Sequence, residues 1–104
     1  MSVQINVDTI KPLRITFDPA KNEANVRERG LSFSLVATEF EWSSAWIAED
    51  VRKDYDERRY KALGYMGTRL HAVIYTPRLE ATHVISLRKA NRREEKLYAA
   101  QTES

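Results

Sequence analysis

Ten basic and aromatic residues in the second half of the chain form the set most able to do chemistry. They are Arg58, Arg59, Lys61, Arg69, Tyr75, Arg78, Arg88, Lys89, Arg92 and Arg93. Metal-free cleavage of RNA asks for little more than such a set. One group takes a proton from a ribose 2′-hydroxyl, cations stabilise the phosphorane, and another group protonates the leaving oxygen. Aromatic or guanidinium planes hold an unstacked base. Several other chemistries lack their motifs. His71 and His83 lie on separate predicted strands without HExxH or CxxC context, so no metal site is expected. There is no P-loop, GxGxxG or GxSxG motif. Cysteine is absent, which excludes disulfides, cysteine-ligated zinc and a thiol nucleophile. No cofactor is expected.

Each candidate has a structural alternative. Arg58 and Arg59 are adjacent, so on a strand only one faces a site. Arg69 follows a tight turn and Arg78 is placed in one, where solvation is the ordinary state. Strand tyrosines usually pack their ring, which favours a core role for Tyr75. Arg88-Lys89 is expected to leave a strand end. Arg92-Arg93 opens a helix, where cations oppose the dipole, and this points to an anionic partner there. Trp42 and Trp46 read as core.

These residues need a scaffold. Leu13 to Phe17 alternates apolar and polar residues and is predicted to be a short strand. Asp18-Pro19 is a helix start, and Gly30 a left-handed cap after Arg29. The apolar face of that helix is thin, so it should lie on the surface of a sheet. A second helix is predicted over Phe33–Phe40 with Val36, Ala37 and Phe40 inward, then a strand at Trp46–Ala48. Glu49–Glu57 (EDVRKDYDE) is the expected mobile loop. Three strands follow, at Arg58–Met66, Leu70–Thr76 and His83–Leu87. Turns at Gly67-Thr68 and Pro77–Thr82 make them an antiparallel meander. Asn91 caps a final helix, Arg92–Ala100, with Glu94 completing a capping box and Leu97 and Tyr98 docking. The fold class is therefore α+β. It has a mostly antiparallel sheet, two helices in the N-terminal half and one at the C-terminus.

Length and charge agree with this. At 104 residues the chain is expected to be a single domain, with residues 1–12 as a flexible tail. It carries 42% hydrophobic and 31% charged residues, an ordinary globular balance. It has no apolar run long enough for a membrane. The start lacks the pattern of a secretory signal, so a cytoplasmic home is expected. The net charge of +2 hides an asymmetry. Residues 1–57 carry 7 Lys/Arg against 11 Asp/Glu, and residues 58–104 carry 10 against 4. A basic half rich in arginine suits an anionic partner, or else is a solvated basic face.

Four stretches give the chain a resemblance to a known family. They are Phe17-Asp18-Pro19-Ala20-Lys21 with Asn25 and Gly30, and Leu31-Ser32-Phe33 with Ala37 and Phe40. Next is Glu57-Arg58 with Gly64, Gly67 and Arg69, then Val73-Ile74-Tyr75-Thr76 with Arg78. The last is Val84-Ile85-Ser86 with Arg88-Lys89-Ala90, Arg93-Glu94 and Tyr98. In this order and spacing they resemble the BrnT toxins, RelE-like ribonucleases of type II toxin–antitoxin systems. The resemblance implies a RelE-like fold, metal-independent endoribonuclease activity and translation arrest. It also implies neutralisation by a BrnA-like ribbon-helix-helix antitoxin in a hetero-oligomer that reaches operator DNA only through the antitoxin. It assigns Lys21, Arg58, Tyr75, Arg88 and Lys89 to catalysis. Arg58 and Arg88 would act on the phosphorane, Lys21 or Lys89 on phosphate or a proton, and Tyr75 on substrate orientation. Arg69, Arg78, Arg92 and Arg93 would bind RNA. Three positions depart from the family's usual residues: Arg29 replaces a histidine, His83 an arginine and Leu87 a small residue. The alternative function is a degenerate module that binds RNA or antitoxin without cutting.

Overall fold

The computed structural model describes residues 14–51 and 56–103. The predicted tail at 1–12, Leu13, and the centre of the predicted acidic loop, 52–55, lie outside them. Strand β1 (Ile15–Phe17) leads into helix α1 (Pro19–Arg29) and the one-turn helix α2 (Leu35–Thr38). A 3₁₀ turn at Trp42–Ser44 precedes β2 (Trp46–Glu49). Then come β3 (Tyr60–Met66), β4 (Arg69–Arg78), β5 (Ala81–Lys89) and helix α3 (Arg92–Thr102). The five strands form one sheet in the order β1-β5-β4-β3-β2. All neighbours are antiparallel except β1, which runs parallel to β5. The α+β class and the meander predicted from sequence are therefore present.

Strand alternation divides the core in two. Ala62, Val73, Val84 and Leu87 meet Phe33, Val36 and Phe40 on one face. On the other face Leu63, Leu70 and Ala72 meet Ala90, Trp46, and Leu97 and Tyr98 of α3. Each such large apolar side chain, once buried, contributes about 1.5–3 kcal/mol. The Tyr98 hydroxyl donates to the Ser44 carbonyl at 2.8 Å, which ties α3 to the 3₁₀ turn.

The helix signals read from sequence hold locally. The Asp18 side chain accepts from the Ala20 amide, and Gly30 closes α1 at φ 72°, its N–H bonded to the Val26 carbonyl. Asn91 and Glu94 form a reciprocal capping box at α3. The thin apolar face of α1 has a specific substitute. Asn25 is buried, and its Nδ2 donates to the Leu31 and Leu87 carbonyls, both at 2.9 Å. Asn22 Oδ1 accepts from the Phe33 amide at 2.7 Å. Two asparagines thus anchor the helix through backbone groups that would otherwise be buried unpaired.

Several boundaries differ from expectation. The second helix is one turn long, with Phe33 and Phe40 outside it. Ala37 is exposed while Phe33, Val36 and Phe40 are buried, because that spacing already fills the space above the sheet. The meander strands extend further than predicted. Pro77 and Arg78 continue β4, and only Leu79 and Glu80 turn. Proline is tolerated there because β3 ends opposite Tyr75, leaving that side of β4 without a partner strand beyond it. Glu80 takes positive φ, 55°, to close so tight a turn. Arg88 and Lys89 remain in β5, where Lys89 pairs with His71, rather than leaving the sheet. Arg58 and Arg59 precede β3 instead of opening it. Gly64 is set by close approach: a Cβ there would lie 2.6 Å from Phe40 Cζ.

Candidate functional site

The meander sorts the candidate residues between the two ends of the sheet. Arg78, Tyr75 and Arg58 lie toward the β4–β5 turn, where β5 begins and β3 starts. Lys21 lies in the first turn of α1, near enough for its charge to act on His83. Arg69, Lys89, Arg92 and Arg93 lie at the opposite end, around the β3–β4 turn and the start of α3. Arg88 sits on the α3 face between them, opposite Ala72. These nine residues do not form one site.

Arg88 is occupied. Its two terminal nitrogens reach the Glu94 carboxylate at 2.7 and 2.9 Å, and Lys61 Nζ reaches the same carboxylate at 2.8 Å. The Glu94 side chain is 4% exposed. The Arg88 hydrogen bonds, helped by those from Lys61 and the Asn91 amide, hold its pKa at about 2 against burial. A buried acid with two cations and a cap role is a structural joint: Lys61 from β3, Arg88 from β5 and the first turn of α3 meet there. To act on a phosphate, Arg88 would have to leave Glu94.

Tyr75 is half-buried in an aromatic stack. It lies over Tyr60 at 5.7 Å and 25°, with the edge of Trp42 at 5.5 Å. Burial, and then Tyr60, raise its pKa, so the phenol stays neutral. Arg58 is more accessible, 3.7 Å from Glu49 through a well-exposed side chain, and its charge is reinforced first by Tyr60. Arg69 donates to the Ala90 carbonyl at 3.1 Å and lies 3.9 Å from Glu95. Lys89, Arg92 and Arg93 are exposed.

One cleft of about 600 Å³ does gather complementary chemistry. It is lined by Arg14, Thr16, Glu57, Arg78, Leu79, Ala81 and His83. Register explains it. Thr16 pairs with His83 across β1 and β5, and His83 pairs with Thr76 across β5 and β4. Paired residues share a face, and Arg78 lies two positions beyond Thr76 on that same face. Glu57, just before β3, reaches Arg78 at 2.9 Å. Its carboxyl is held below the usual range, chiefly by that hydrogen bond, and stays ionised at neutral pH. Thr16 Oγ1 lies 2.8 Å from His83 Nδ1. Burial, and then the charge of Arg78, lower the His83 pKa, so the imidazole is mostly neutral at pH 7. The cleft thus offers two guanidinium groups, an ionised carboxylate and a neutral imidazole. Of these residues only Arg78 stood among the sequence candidates. His83 stood out only as an unusual residue, Glu57 was hidden in an acidic run, and Arg14 and Thr16 carried no signal before β1 was known to pair with β5. Among the described residues no three His, Cys, Asp or Glu side chains cluster as metal ligands would. No described helix is long and apolar enough to cross a membrane.

The sequence signature of BrnT, the ribonuclease toxin of type II toxin–antitoxin systems, matches residues 17–94. That is three-quarters of the chain, from the end of β1 into the first turn of α3. This chain belongs to the BrnT family. Comparison with curated proteins gives no match. The BrnT signature takes in α1, the whole sheet except the start of β1, and Glu57, Arg78 and His83. It leaves out Arg14 and Thr16, so one wall of the cleft in this BrnT chain lies beyond the matched region.

Proposed function

We propose that this BrnT-family chain cuts RNA without a bound metal, arrests translation in the cytoplasm, and is silenced by a BrnA-like ribbon-helix-helix antitoxin. The observation that carries this reading is the cleft of Arg14, Glu57, Arg78 and His83 in a ribonuclease-toxin fold. Cleavage of a phosphodiester by its own 2′-hydroxyl builds negative charge on phosphorus oxygens. Preorganised guanidinium groups stabilise that charge where it forms. Arg78 is suited to this because Glu57 orients it while 48% of its side chain remains exposed. Arg14, Arg58 and Lys21 would add cations around it, a backbone-binding set for a single strand. The antitoxin would cover this end of the sheet and place acidic groups on the cations. DNA would be reached only through the antitoxin.

The test is induced expression of the chain alone, with growth and total RNA followed together, beside Arg78→Ala. Arrest with RNA loss in wild type, and relief in the variant at equal soluble level, support the reading. Normal growth with intact RNA from folded wild-type protein overturns it. Arrest unchanged in Arg78→Ala moves the site away from the cleft.

A further inference from the structure

We propose that His83 is the base of this cleft, accepting the ribose 2′-hydroxyl proton on Nε2 while Thr16 holds Nδ1. The inference rests on the ribonuclease reading and adds the residue that moves the proton.

Geometry separates His83 from the other groups of the cleft. Its Nδ1 is committed to Thr16 Oγ1 at 2.8 Å, and Nε2 has no hydrogen-bond partner among the described residues. In the reactive tautomer Nδ1–H donates to the threonine hydroxyl and the Nε2 lone pair is available. The charged groups around the ring come from every neighbouring segment. Arg78 belongs to β4, Glu57 to the segment before β3, Asp18 and Lys21 to the start of α1, and Arg14 immediately precedes β1. Guanidinium and ammonium groups offer donors and no acceptor, which sets aside Arg14, Lys21 and Arg78. Glu57 is a weak base here because its carboxylate is engaged by Arg78. The Asp18 carboxylate caps α1, accepting from the Ala20 amide at 3.0 Å. A neutral imidazole beside guanidinium groups is what remains, and its lowered pKa keeps it unprotonated at pH 7.

The step balances as a transesterification. The O2′–H bond breaks and its proton goes to Nε2. O2′ forms a bond to phosphorus while the P–O5′ bond breaks, and O5′ takes a proton from water. The imidazolium then returns its proton to the hydroxide so formed. The products are a 2′,3′-cyclic phosphate and a free 5′-hydroxyl.

The experiment uses the full chain in excess over a labelled single-stranded RNA, and over mRNA in a translating extract. Single-turnover rates are followed from about pH 5 to about pH 8 for wild type, His83→Gln and Glu57→Gln. Wild type is expected to lose rate as pH falls through a midpoint below 6.5, the ordinary histidine value. His83→Gln, with an unchanged unfolding midpoint, is expected to cut about 10²- to 10⁴-fold more slowly and to lose that acid limb. Glu57→Gln removes a charge that raises the His83 pKa, so it is expected to keep the limb with its midpoint moved to lower pH. Thr16→Val, at an exposed position, is expected to slow cleavage and shift the limb's midpoint. Cutting by His83→Gln within a few-fold of wild type overturns the inference and leaves the ribonuclease reading intact. So does loss of the acid limb in Glu57→Gln alone. Wild type that cuts neither substrate overturns both.

Discussion

Replacing Glu94 by glutamine keeps its shape and removes its charge, leaving Arg88 and Lys61 without their shared carboxylate. The cost can be worked from the structure. The carboxyl pKa falls from 4.5 to about 2 on folding. At 1.36 kcal/mol per unit, that is about 3 kcal/mol of stability at neutral pH. The side chain is only 4% exposed, so solvent screening does little to reduce it. The sign follows from the direction of the shift. A depressed carboxyl pKa stabilises the fold above 4.5, and this contribution fades as pH falls toward 2. Urea unfolding of wild type and Glu94→Gln at neutral pH should therefore differ by about 3 kcal/mol. In a domain of this size that is a loss of roughly 12–20 °C in the melting midpoint. The gap should narrow in acid. A difference below about 0.5 kcal/mol at neutral pH, or one that does not change between neutral pH and about pH 3, refutes the argument. The same joint complicates any toxicity assay of Arg88→Ala. Loss of activity there reports catalysis only if the unfolding midpoint is unchanged, and the structure says that it will fall.

Gly64→Ala should destabilise by about 1–3 kcal/mol, measured by thermal unfolding, because the new methyl group meets the Phe40 ring. An unchanged midpoint would show that Phe40 moves aside freely. Asn25→Ala should cost about 1–3 kcal/mol by stranding the Leu31 and Leu87 carbonyls, and it should raise hydrogen exchange in α1. Arg78→Ala should change stability by no more than about 0.5 kcal/mol, since its pair with Glu57 is solvated. It should nonetheless weaken RNA binding and flatten its salt dependence by about one counterion, read from a titration at several salt concentrations.

The sequence made some of this legible and hid the rest for identifiable reasons. Caps were readable because they are local: Asp18-Pro19, Gly30 and Asn91 with Glu94 each satisfy helix-end groups within four residues. The meander was readable from its turns and apolar runs. The anchoring of α1 was not, because Asn25 works through the carbonyl of Leu87, 62 positions away. The basic residues were visible as a group, yet only tertiary pairing decides which are engaged. Arg88 looks like its neighbours in the sequence and is locked to Glu94, while Arg78 opens into a cleft. The cleft itself depends on β1 lying beside β5, a parallel pairing that no local pattern announces.

That pairing has a consequence for the order in which the molecule comes into being. Thr16 and His83 are 67 positions apart, and Arg14, Glu57 and Arg78 all leave the ribosome before His83 does. Closing so long a loop is slow and must wait until the fifth strand is available. A nascent chain whose fifth strand has not yet emerged therefore holds the cations of the cleft without its imidazole. The cleft is completed only as the fifth strand docks. A chain of a ribonuclease-toxin family is in this way kept unfinished while it is being made, and an antitoxin already present meets it at about the moment the cleft is complete.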